Sequence, residues 1–114
     1  MQRIILDTPE GLAKINELLR EYAGFPIKLW SYSVSLSRLQ LRIERGAAGN
    51  FHLQMMGVES LILPKLRWEL GGRIENDESR PLSGPRYTFT DGTASARIEC
   101  GGVRLEENVE PLYR

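Results

Sequence analysis

Between Thr8 and Gly24 the hydrophobic positions Leu12, Ile15, Leu18, Leu19 and Tyr22 recur at helical spacing, while Lys14, Asn16, Glu17, Arg20 and Glu21 fill the other side. Such a stripe predicts one amphipathic helix over residues 9–23, with one face to pack on a sheet. Thr8-Pro9 supplies its start: a hydroxyl to accept an orphan amide, then a proline whose missing N–H costs nothing in the first turn. Gly24 is placed to stop the helix and Pro26 prevents its resumption. Gly11 weakens the first turn through its backbone freedom. Ahead of the helix, Ile4-Ile5-Leu6 reads as a short buried strand or an extended lead-in.

From Ile27 the period changes to two. Trp30, Tyr32, Val34 and Leu36 alternate with Ser31, Ser33, Ser35 and Ser37; after Arg38 the phase flips, and Leu39, Leu41 and Ile43 alternate with Gln40, Arg42 and Glu44. A flip of face requires a turn or a bulge. A tight turn at Ser37-Arg38 would pair Leu36 with Leu39, Val34 with Leu41 and Tyr32 with Ile43. Ser-Arg suits a two-residue hairpin poorly, so a bulged continuous strand is the alternative. Gly46-Ala47-Ala48-Gly49-Asn50 is the next turn. Pairing Ile43 with Phe51, Leu41 with Leu53 and Leu39 with Met55 puts all six on one face, and leaves His52 and Gln54 on the polar face roughly opposite Arg42. Gly57 bends the chain into Val58–Leu63, closed by Pro64. Leu66, Trp68 and Leu70 then alternate with Lys65, Arg67 and Glu69 up to Gly71-Gly72, so that residues 27–74 read as β-rich.

Residues 75–86 are polar and proline-punctuated and read as an exposed loop. A β-meander follows over residues 86–107. Asp91-Gly92 predicts a hairpin pairing Phe89 with Ala94 and Tyr87 with Ala96. Gly101-Gly102 predicts a second, pairing Cys100 with Val103 and Ile98 with Leu105, with Glu99 against Arg104 and Arg97 against Glu106 on the other face. Val109, Leu112 and Tyr113 are expected to dock the tail. The expected architecture is α+β: one N-terminal helix on a predominantly antiparallel β structure, sandwich-like or strongly curled, of about seven strands in a single domain spanning residues 1–114.

Charge and cysteine content narrow the function classes. The chain has 114 residues with Lys+Arg and Asp+Glu equal at 15 each. Without a basic excess, nucleic-acid binding is not expected. Nowhere do ~18 apolar residues run together, so no membrane span is expected. The apolar run Ile4–Leu6, ended by Asp7, is too short for a signal peptide. The one cysteine, Cys100, excludes an intrachain disulfide. Together these point to the cytoplasm.

No residue set carries recognisable chemistry. His52 is the sole histidine and reads as an exposed polar residue on a half-solvated strand. The serine row Ser31, Ser33, Ser35 and Ser37 lacks a nucleophile elbow and reads as the solvent side of a strand. Glu75, Asp77 and Glu78 lack calcium-loop spacing, and neither glycine doublet is a phosphate loop. No cofactor and no metal is expected. Arg86 and Arg97 face each other in the Asp91-Gly92 register, a repulsion that a bound anion would relieve, unless Glu106 already compensates Arg97. Trp30, Tyr32, Met55 and Trp68 are the bulky side chains available to line an interface or a ligand pocket. The leading expectation is a small non-catalytic protein-interaction module with a protein partner, a homodimer through an exposed edge strand also being open. A β-domain binding a small hydrophobic ligand is the alternative. An enzyme, using His52, Glu59 and Asp91, comes third.

Overall fold

The computed structural model describes residues 3–6, 8–35, 37–46, 49–76 and 86–107. Strand β1 (Arg3–Leu6) leads into helix α1 (Pro9–Glu21). Thr8 caps the helix, its Oγ1 accepting the Gly11 N–H at 3.0 Å. Ile15 and Leu19 are buried, and Leu12, Leu18 and Tyr22 pack beside them. Tyr22 is the C-cap, and Gly24 follows in the left-handed region (φ 94°), donating its N–H to Leu70 C=O.

Gly11 does more than loosen a turn. A Cβ at this position would overlap the Leu6 carbonyl, so glycine is what lets the end of β1 lie against the helix start. An exposed helical glycine normally gains about 1 kcal/mol on replacement by alanine. Here the overlap reverses the sign: Gly11→Ala is expected to cost about 2 kcal/mol. A melting temperature higher than that of the unsubstituted protein would refute the close approach.

The remaining strands are β2 (Pro26–Ser33), β3 (Arg38–Glu44), β4 (Asn50–Met56), β5 (Ser60–Ile62), β6 (Arg67–Glu69), β7 (Gly72–Asn76), β8 (Tyr87–Asp91), β9 (Ala96–Cys100) and β10 (Gly102–Glu107). They form a six-stranded sheet in the order β1-β10-β4-β3-β2-β6 and a four-stranded sheet in the order β5-β9-β8-β7. Every pairing is antiparallel. The two sheets and α1 bury their apolar faces in one core, in which Ile15, Leu41, Leu53 and Ile98 are wholly covered. The α+β class with an N-terminal helix is therefore observed, with ten strands among the described residues where about seven are expected.

The β3–β4 hairpin has the register expected from its two faces: Ile43 opposite Phe51, Leu41 opposite Leu53 and Leu39 opposite Met55, all buried. Three other pairings are corrected. Strand β2 pairs β3 as Ile27–Ile43, Leu29–Leu41 and Tyr32–Leu39, with a bulge between Leu29 and Ser31. Val34 lies in the turn, where it is 75% exposed, and Leu36 lies outside the described residues. Ser37 takes a positive φ of 50°, which closes a loop longer than the tight turn that Ser37-Arg38 would make. The Asp91-Gly92 dipeptide also opens a longer turn: Asp91 pairs with Ala96, Phe89 with Ile98 and Tyr87 with Cys100, while Ser95 has φ 54°. Ala94 is thereby tucked into the core instead of lying opposite Phe89.

The third correction is topological. β9 and β10 do not pair; at Gly101 the chain leaves the smaller sheet and enters the larger, where β10 runs between β1 and β4. Arg104 therefore bridges to Glu106 on its own strand, not to Glu99. Residues 72–76 form β7, with Ile74 buried, so Glu75 and Asn76 belong to a strand and Arg86 is buried; residues 77–85 lie outside the described set. In β1 Ile5 is buried, whereas Ile4 and Leu6 face outward. Asn16 blocks the outer edge of β7, donating Nδ2 to Ile74 C=O and accepting the Ile74 N–H, both at 2.8 Å. The tail residues Val109, Leu112 and Tyr113 lie outside the described residues.

Candidate functional site

The outer face of the larger sheet should be a solvated polar surface, because its residues alternate with the buried rows of β3 and β4. Two of them are nevertheless buried: Arg42 is 8% exposed and His52 2%. They are direct register partners across β3 and β4. The cover is Trp30, the residue bulged out of register in β2. Its ring centroid lies 4.2 Å from the Arg42 guanidinium carbon and 5.6 Å from the His52 ring. The expectation that His52 is solvent-exposed is thus overturned: Trp30 alternates onto the outer face with Lys28, its ring lies over the neighbouring strands, and the bulge after it is what puts Tyr32 on the opposite face.

Burial has electrostatic consequences. The imidazole of His52 is pushed down from 6.5 to about 4, first by its removal from water and second by the Arg42 charge beside it. His52 is therefore neutral at physiological pH. Its Nε2 is buried and has no hydrogen-bond partner among the described residues, and neither Nε nor Nη1 of Arg42 has one. Buried Arg86 and half-buried Arg45 are differently placed. Arg86 meets Glu59 at 2.7 Å, and Arg45 meets Glu107 at 3.7 Å and the Tyr22 hydroxyl at 3.2 Å. Glu44, two residues along β3 from Arg42, is shared at 3.5 and 3.6 Å by Lys28 and Arg67. The cluster of Lys28, Arg42, Arg67 and Glu44 is thus net positive.

The other candidate positions are dispersed. Met55 and Trp68 belong to the core, while Trp30 covers the outer face and Tyr32 is 43% exposed. An open groove of about 720 Å³ between α1 and β7 is lined by Asn16, Leu19, Arg20, Ala23, Gly71, Gly72, Arg73, Ile74 and Glu75. It includes none of those four. Arg86 and Arg97 do not face each other, because Arg97 stands opposite Thr90 and bridges to Glu99 at 2.9 Å. With the facing pair gone, the repulsion that called for an anion between them is gone too.

Asp91, 1% exposed, accepts the Trp68 indole N–H at 2.8 Å and the Gly71 and Thr93 backbone N–H groups at 2.9 Å. It ties β6 to the turn after β8. Glu59 holds Arg86, so Glu59, Asp91 and His52 each serve a different set of partners. Glu75 bridges to Arg73 at 2.8 Å, and Asp77 and Glu78 lie outside the described residues. Among the described residues no three His, Cys, Asp or Glu side chains converge as a metal set, and no helix is long and apolar enough to cross a membrane. The chain matches no known family model, no curated protein and no solved structure.

The pairing of Arg42 with His52 follows from the β3–β4 register, which is readable from the apolar face alone. Their burial is not, because nothing in the alternation of β2 marks Trp30 as the bulged residue.

Proposed function

We propose that this protein is a non-catalytic protein-interaction module, of the inhibitor, immunity or accessory kind, which takes an extended segment of a partner protein onto the open edge of β2. The observation that carries the reading is that edge. Strand β6 pairs with β2 from Pro26 to Lys28, and Leu29 N–H reaches Leu66 C=O at 2.8 Å. Beyond that point no strand among the described residues lies on that side of Trp30–Ser33.

Exposed strand edges are commonly protected by lysine, proline or a covering loop. No charged residue occurs between Leu29 and Ser37. Tyr32, Val34 and Leu66 stand 43%, 75% and 66% exposed near the same edge. Backbone pairing there would supply affinity, and the alternating side chains specificity. The single cysteine suits a reducing compartment, so the cytoplasm is where we place the partner.

The test is a tagged pull-down from the source cells, followed by mass spectrometry, run beside Tyr32→Lys/Val34→Lys. Both side chains are exposed, so the variant is expected to keep its unfolding free energy to within ~0.5 kcal/mol. A stoichiometric partner is expected on the unsubstituted protein and at least tenfold less of it on the variant. Equal retention, or no partner at all, overturns the reading. A dimer of this chain that the same substitutions dissociate would assign the edge to a second copy and overturn the partner reading as well.

A further inference from the structure

A guanidinium is charged at every physiological pH, and a buried charge is costly unless paired and hydrogen-bonded. Arg42 stands out on that ground. It is 8% exposed, two of its nitrogens have no acceptor among the described residues, and the nearest carboxylate on its own strand, Glu44, is already shared by Lys28 and Arg67. His52, neutral and 2% exposed, offers a second unpartnered nitrogen directly across the strand pair. The Trp30 ring covers one side of both groups. A ligand must therefore approach in the plane of the guanidinium, and an anion able to do so is flat.

We propose that Arg42 and His52, beneath Trp30, form a binding site for a carboxylate. Arg42 supplies the charge and its N–H donors, and neutral His52 donates from Nε2 to the second oxygen. Trp30 holds the guanidinium flat and acts as the movable cover. Trp30 has no register partner on β3, and uncovering the site requires only its side chain to turn aside. The site is independent of the β2 edge reading. A free carboxylic acid and an acidic side chain on a partner strand share this chemistry, and the two sources are separable by experiment.

The sole histidine gives an unambiguous NMR probe, and the two tryptophans give a reporter and a control. Trp30 covers the site, whereas the Trp68 indole is fixed on Asp91. Sodium acetate is titrated against sodium chloride at constant ionic strength and pH 7. The His52 ring and Trp30 indole signals are expected to shift saturably, with half-saturation on the order of 10 mM for so small a ligand, while Trp68 stays still. Arg42→Gln is expected to weaken binding at least tenfold, and Arg42→Lys, which keeps the charge without the fork, by less. An unmoved Trp68 signal in both variants certifies their fold.

A second titration uses the peptide Thr-Val-Glu-Val-Thr with blocked ends, and Thr-Val-Gln-Val-Thr as its control. Glutamate peptide binding more than tenfold tighter than acetate assigns the carboxylate to a protein partner. Comparable affinities assign it to a free acid. Linear, unsaturable shifts with acetate and peptide alike, or shifts that persist unchanged in Arg42→Gln, overturn the site.

Discussion

Asp91→Ala is expected to lower the unfolding free energy by about 4 kcal/mol, enough to reduce the melting temperature by roughly 15 °C. The carboxylate is buried and receives three hydrogen bonds, from the Trp68 indole and from the Gly71 and Thr93 amides. Alanine leaves the indole N–H with no acceptor inside the protein and strips the same partner from Gly71. Each stranded donor costs about 1–3 kcal/mol, and the Thr93 amide, in an exposed turn, can turn to water at smaller cost. Trp68→Phe, which deletes one donor and part of the ring, is expected to cost roughly half as much. Because both substitutions break one shared bond, their combination should fall short of the sum by about 1–2 kcal/mol. Strict additivity in a denaturant-melt double-mutant cycle would show that Asp91 does not act through Trp68. The same clamp explains why Asp91 is a poor catalytic candidate: its oxygens are already engaged.

The parts of the fold readable from sequence are those in which two independent patterns agree. In β3–β4 the glycine turn, the apolar face and the polar face all demand one register, and that register is observed. Thr8-Pro9 and Gly24 bracket α1 for similar reasons. The readings that were corrected share a different cause. Turn dipeptides suggest a register for β2–β3 and β8–β9, whereas Ser37 and Ser95 enter the left-handed region and lengthen both turns. In β8–β9 the pairing moves by four residues, which keeps every side chain on its face, so the apolar pattern cannot detect the slip; in β2 the bulge makes the shift odd before Trp30, and that turns Trp30 to the outer face. Alternation in β10 likewise says that one face is buried without saying against which sheet. Gly101-Gly102 serves as well for a crossing between sheets as for a hairpin. The Arg42–His52 neighbourhood was readable as a pair, and its burial was not, since that depends on one bulged tryptophan in a strand whose serines suggest open solvent.

A buried neutral histidine makes the folded state sensitive to acid in a defined window. The unfolded chain binds a proton at His52 with the ordinary value of 6.5, and the folded protein only near 4. Between those values the unfolded state holds more protons, so stability falls as pH is lowered through 6.5 and levels off below about 4. The loss accumulates to roughly 3 kcal/mol across the window. The groups facing the imidazole are Arg42 from β3, Trp30 from β2 and, in register on β10, Glu106, which Arg104 and Gln54 engage at 3.1 and 2.9 Å. Carboxylates elsewhere also titrate at low pH, so the informative quantity is a difference between two proteins. His52→Gln keeps a polar side chain that does not titrate, and carboxylate protonation is common to both chains and drops out. Measured in buffers free of carboxylic acids, the advantage of the unsubstituted protein over His52→Gln should shrink by roughly 3 kcal/mol between pH 7 and pH 4. A difference independent of pH would mean that His52 is hydrated in solution and that Trp30 does not seal it. Acetate added at pH 5 should restore part of the lost stability, because an anion beside Arg42 offsets the repulsion that disfavours protonated His52.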